Sequence, residues 1–179
     1  MKNIRYLVLT GMVLAVAAVR LLPHPWNFTP IGAMALFGGA QFASKRAAFL
    51  VPLAALFAGD VVLGLHKLLP FVYGCFALTV CLGFWVRHKP RPARIIVASV
   101  MSSIVFFLVT NFSVWAFLGS FPKNAVGLVE CYMAGLPYLR NGLLGDLMYT
   151  GAFFGGLALT QLRCDSVGES RVIPDVGFP

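Results

Sequence analysis

From Tyr6 to Leu162 the chain is a nearly unbroken series of apolar runs of bilayer length, separated by short basic or proline-rich connections. A hydrocarbon core about 30 Å thick takes roughly 17–25 apolar residues per helix, and no backbone polar group inside it can turn to water. The runs predict six transmembrane helices at about Tyr6–Leu22, Phe28–Ala43, Ala47–Leu65, Leu69–Val86, Ile95–Leu118 and Leu143–Leu162, the second being the shortest. They follow one another too closely for a second domain, so residues 1–179 read as one all-α membrane domain with a tail at 163–179. Composition agrees: 59% of the residues are hydrophobic and 11% charged, with a mean hydropathy of +0.85, more apolar surface than a soluble core absorbs. Pro52, Gly59, Gly74 and Gly83 lie inside the runs, where neighbouring membrane helices tolerate them.

Charge sets the orientation. With the N-terminus inside, Lys2, Arg5, Lys45, Arg46, Arg87, Lys89, Arg91, Arg94, Arg163 and Arg171 fall on the cytoplasmic side, ten of the 14 basic residues. Only Arg20, Lys67, Lys123 and Arg140 fall outside, which predicts N-in and C-in termini. The net charge of +8 is then topogenic, and the stretch from Arg87 to Arg94 reads as a loop near anionic lipid rather than a nucleic-acid site. Lys2, Arg5 and the small residues Ala15-Val16-Ala17 have the look of a signal peptide, but the expectation is an uncleaved first helix.

Two carboxylates, Asp60 and Asp146, interrupt apolar runs at membrane depth. Such groups are costly there, face the bundle interior, and mark either a solute path or a packing partner for Ser, Tyr, Asn or Arg on a neighbouring span. Outside, the segment Leu22–Pro30 carries three prolines and two aromatics, a stiff loop suited to presenting side chains. The Gly119–Gly142 connection is amphipathic, with Leu128, Val129, Tyr132, Met133, Leu136 and Tyr138, and predicts an interfacial helix or a lid over the bundle mouth. Tyr73, Asn111, Arg140, Asn141 and Tyr149 are the polar or amphipathic groups nearest that mouth, and His24 in the proline-rich loop is a further candidate contact. Gly11 with Ala15 and Gly151 with Gly155 form small-xxx-small pairs, read first as intramolecular packing.

The run from Arg20 to Ala40 (RLLPHPWNFTPIGAMALFGGA), Pro52, Gly59-Asp60 and Pro70–Leu78 (PFVYGCFAL) resemble the substrate-binding S-components of energy-coupling-factor vitamin transporters, and within them the solitary cobalamin-uptake type. The resemblance covers about Tyr6 to Leu162. It implies a six-helix bundle in a bacterial inner membrane that binds a vitamin, cobalamin foremost, in an outward-facing cavity capped by outside loops. It further implies contacts from Asp60 and Asp146 to the amide-rich rim of a corrinoid, and docking to an energising module that this chain does not encode. There is no Walker A loop in the sequence, so nucleotide hydrolysis is not expected of the chain itself. No prosthetic group is expected; cobalamin and its cobalt enter as substrate.

The cysteines Cys75, Cys81, Cys131 and Cys164 show no CxxC and no zinc-finger spacing. Cys75 lies about 9 Å into the fourth predicted span and Cys81 about 18 Å, past the midplane. A thiolate is a competent soft ligand for a transition metal, and with the resemblance Cys75 becomes the candidate axial ligand to cobalt, Cys81 the reserve. Alone, either reads as a small packing residue. A second class of function stays open, an enzyme that removes an upper ligand such as cyanide from a corrinoid with help from Cys75. So do a transporter for another vitamin and an assembly factor without a small-molecule ligand, the latter favoured by a pocket too small for a vitamin.

Overall fold

A computed structural model describes residues 25–169, with side chains at all of these but 63 and 162–169. The first predicted span, His24, Arg20 and the Gly11/Ala15 pair lie outside the described residues, as do the side chain of Cys164 and the end of the tail from 170. Five helices and no strand are described: α1 (Ile31–Gln41), α2 (Lys45–Leu63), α3 (Leu69–His88), α4 (Pro92–Phe117) and α5 (Ala125–Glu169). Three of them, α3, α4 and α5, are long and apolar enough to cross a membrane, which marks the chain as a membrane protein. The 19-residue α2 is long enough but carries Lys45, Arg46 and Asp60.

The bundle is organised around its shortest member. α1 has 11 residues, ten of them buried, and it packs against each of the other four helices, most extensively against α3. A helix apolar on all sides must be enclosed on all sides, and IGAMALFGGAQ has no polar residue before its last position. At 1.5 Å per residue it spans about 16 Å, half of a hydrocarbon core. The second predicted span therefore shortens to a central strut: Phe28, Thr29 and Pro30 belong to the loop before it, where proline supplies no N–H and sets the start of the helix.

Glycine lets α1 and α3 approach to backbone contact. A Cβ on Gly39 would run into the Val80 carbonyl and the Gly83 Cα, and one on Gly83 would meet the Leu36 carbonyl and the Gly39 Cα. Such close crossings replace the hydrophobic drive that helices lack in lipid. On either side, Ala35, Phe42, Ala48 and Val80 form one buried cluster and Leu36, Ala40, Val86 and Ala98 another.

The last helix departs from expectation. Residues 125–142 form no separate interfacial segment; they continue into the sixth predicted span as one helix of 45 residues, Pro137 included. Its first half lies along the C-terminal half of α4, where Tyr132 packs on Phe107 with centroids 5.5 Å apart and donates to the Leu108 carbonyl at 2.8 Å. Gly135 is the close point of this pair, occupied from the other side by the Asn111 carboxamide. The amphipathic pattern was thus one helix face covering α4. Asn124 opens α5 by accepting from the Gly127 N–H at 2.8 Å, as N-cap residues do.

Candidate functional site

α4 carries a polar stripe. Ser99, Ser102, Ser103, Thr110 and Ser113 are related by spacings of three, four and seven residues and so share one helix face, and Ser99, Ser102, Ser103 and Ser113 are buried among the other helices. Hydroxyls inside an apolar bundle require partners, and each finds one. Ser103 Oγ donates to Asp146 Oδ2 on α5 at 2.6 Å, Ser102 Oγ lies 2.7 Å from Thr79 Oγ1 on α3, and Thr150 on α5 donates to Ser99 at 3.5 Å. Among the described residues no buried side-chain nitrogen or oxygen lacks a partner.

These groups enclose a cavity of about 60 Å³ between α1, α3, α4 and α5. Its inner wall is Thr79, Ser102, Ser103 and Asp146, with the rings of Phe76, Phe106 and Phe107; Thr110, Asn111, Leu139 and Gly142 continue it, and Asn27, Thr29 and Tyr138 stand at the mouth. The loop before α1 reaches over the opening. Asn27 takes the left-handed φ of 60°, a conformation asparagine tolerates better than most residues. The turn closes by a Phe28 N–H to Pro25 carbonyl bond of 3.0 Å. Phe28 then packs on Tyr149 at 5.7 Å, and Trp26 meets Tyr138 edge-on at 6.2 Å.

Asp146 holds the centre. Its carboxylate lies against Gly32, in the first turn of α1, so closely that a Cβ there would collide with it. The first turn of a helix presents unpaired N–H groups and a partial positive charge, and no side chain of the preceding residue caps α1. At the other end of α1, Arg87 donates to the carbonyls of Gly39 at 2.6 Å and Ala40 at 3.2 Å, and to that of Phe42, with its guanidinium 5.3 Å from the Phe84 ring centroid. Arg87 was assigned by sequence to a topogenic loop; it is the last turn of α3 and serves as the C-terminal cap of α1.

The predicted site residues separate into groups. Asp146 and Asn111 line the cavity. Asp60 is buried on α2 and accepts from Tyr73 Oη on α3 at 2.9 Å, so that pair joins two helices away from the cavity. Tyr149 supports the loop through Phe28; Arg140 is exposed and Asn141 half-buried on α5, neither on the cavity wall. Cys75 is buried and Cys81 exposed. Neither lines the cavity, though Phe76 and Thr79, on either side of the next helical turn from Cys75, do. Thr79 Oγ1 bonds the Cys75 carbonyl at 3.0 Å. Sequence reasoning missed the α4 hydroxyls and Thr79; the period of Ser99, Ser102, Ser103 and Thr110 was the available signal.

A model for a family of unknown function, DUF6580, matches residues 1–167. No curated protein matches the chain, and no solved structure does.

Proposed function

The chain belongs to the DUF6580 family, and from the geometry of its buried polar cavity we propose that it is a six-span uptake protein of the S-component type, in a bacterial inner membrane, that captures a small solute from outside. The observation that carries this reading is the Asp146–Ser103 pair set in a hydroxyl- and aromatic-lined cavity within an otherwise apolar bundle. A helix bundle that needed only to pack would be served by apolar residues there, because buried ionic and polar groups rarely add net stability. With both termini inside, the C-terminal end of α4 and the loop before α1 face outward, which places the mouth at Asn27, Thr29 and Tyr138 on the side from which a nutrient arrives. Release to the inside then follows from reorientation of the bundle, energised by a module that binds it.

A second version, cobalamin with Cys75 as the ligand to cobalt, draws on the position of Cys75 beside two residues of the cavity wall. It asks more of the bundle. The cavity is far below the roughly 300–1,000 Å³ of ordinary ligand pockets, the outcome that favours an assembly factor over a vitamin carrier, so a corrinoid enters only once α3 moves to present the thiol. The same movement would set Cys75 to assist removal of an upper ligand.

Extraction of the purified protein tests the common reading. Mass spectrometry of the small molecules released on denaturation is expected to find a solute retained in near-stoichiometric amount by the wild type and absent from Asp146→Leu. Identical extracts from the two proteins would contradict it.

A further inference from the structure

Counting hydrogens in the cavity gives it a polarity. A hydroxyl has one hydrogen to donate and two lone pairs to accept with. Thr79 spends its hydrogen on the Cys75 carbonyl at 3.0 Å, so the 2.7 Å contact between Thr79 and Ser102 is satisfied by the Ser102 hydrogen. Ser103 gives its hydrogen to Asp146 at 2.6 Å, the shorter of its two contacts, the other being the Ser99 carbonyl at 3.2 Å. Thr110 donates to the Phe106 carbonyl at 2.7 Å.

The hydroxyl hydrogens of Thr79, Ser102, Ser103 and Thr110 are therefore committed to protein, so the inner wall offers a guest their oxygen lone pairs and the Asp146 carboxylate, while the second Asn111 N–H and the polar groups of Asn27, Thr29 and Tyr138 lie further toward the mouth. Among the described residues no Lys, Arg or His lines the cavity to balance Asp146. The first turn of α1 supplies only about half of a positive charge. The rest of the wall is aromatic: Phe76 and Phe106 lie with centroids 5.5 Å apart, and Phe107 stands beside them. Ring faces attract cations, and a cavity of about 60 Å³ admits only a small group, well short of an ordinary ligand pocket.

The geometry points to an ammonium group as the guest: the cavity takes a small solute, or the head of a larger one, that carries a protonated amine, with its N–H donors on Asp146 and the hydroxyl oxygens and its alkyl part against the phenylalanines. This specifies the chemical class for the uptake reading and rests on it. A carboxylate guest would be repelled by Asp146 and finds no free hydroxyl hydrogen on the inner wall, and a neutral alcohol carries no charge to match the carboxylate. Sodium would find oxygens but has no N–H donors to direct at them and no alkyl part to set against the phenylalanines.

The test measures binding of ethylammonium chloride, ethanol and sodium chloride to the purified full-length protein in detergent, by ligand-dependent shift of thermal unfolding and by saturation-transfer NMR, at constant ionic strength. Ethylammonium is expected to bind at least tenfold more tightly than ethanol or sodium, and Asp146→Asn, which keeps the shape and removes the charge, is expected to lose at least tenfold in that affinity. Equal binding of ethanol, a preference for sodium, or undiminished binding to Asp146→Asn would overturn the inference. If Asp146→Asn does not fold, the wild-type ranking of the three probes decides alone. Recovery of a neutral or anionic solute that Asp146→Leu loses would leave the uptake reading standing and remove the ammonium assignment, whereas no retained solute and no bound probe would remove both.

Discussion

Asp146 and Arg87 stand at opposite ends of the same buried helix, the carboxylate against the first turn of α1 and the guanidinium on its last carbonyls. Each charge faces the helix terminus of opposite partial charge, an arrangement worth up to about 2 kcal/mol per end in partly buried surroundings. The residues lie on α5 and α3, so α1 ties the two together. This makes the cavity part of the framework: movement of α1 changes the surroundings of Asp146 and the seat of Arg87 at once.

Replacing Arg87 tests that framework. Arg87→Met removes the donors to three carbonyls at the end of α1 while keeping the aliphatic stem, and is expected to cost about 3 kcal/mol, the range for leaving buried polar groups unpaired. Arg87→Lys retains the charge but not the planar fork and should recover only part. Unfolding of the purified proteins in detergent measures both, and an unchanged Arg87→Met protein would show that the cap is dispensable.

The α1–α3 crossing makes a sharper structural prediction. Gly83→Ala places a methyl into the backbone of α1 and should destabilise by about 1–3 kcal/mol, as overpacking does. Gly155→Ala meets open space and should stay within about 0.5 kcal/mol of wild type. Equal effects at the two positions would mean that the helices do not approach as described.

Asp60 and Asp146 should also separate. Asp60→Asn retains an acceptor for Tyr73, whose hydroxyl bonds Oδ2 at 2.9 Å, so its effect falls on stability and leaves solute retention intact. Asp146→Asn should reduce retention. Equal loss of retained solute in both variants would place Asp60 in the binding machinery after all.

The corrinoid version has its own spectroscopic check. If Cys75 ligates cobalt, Cys75→Ser exchanges a soft thiolate for a weak hydroxyl donor and the visible spectrum of bound cobalamin shifts, while Cys81→Ser and Cys131→Ser leave it unchanged. Cys131 Sγ already points to the Asn111 carbonyl at 3.3 Å. A spectrum indifferent to Cys75 would eliminate it as the ligand.

Much of the helix content was legible because membrane spans are written in long apolar runs: the boundaries of α3 and α4 fall within three residues of those read from sequence. Asp146 was legible for the complementary reason, as a charge where charges are costly. The role of Arg87 was not, since its partners at Gly39, Ala40 and Phe42 lie some forty-five residues earlier and nothing local distinguishes it from the basic residues that follow. The serines of α4 are weakly polar and lower the hydropathy of their run very little, so they pass unnoticed unless their spacing is counted. The amphipathic Gly119–Gly142 connection read as an interfacial helix or lid before the sixth span, yet packing against α4 makes its helical part the first half of α5.

The central claim, that Asp146 anchors a solute inside the bundle, is tested most directly by a density map of the full-length protein purified from its source membrane, at a resolution that shows ordered waters. The account predicts non-protein density larger than a water within hydrogen-bond distance of the Asp146 carboxylate and in contact with Phe76 or Phe106, lost in Asp146→Leu. A cavity closed by its own side chains, with Asp146 bonded to Ser103 alone in the wild-type map, would contradict it.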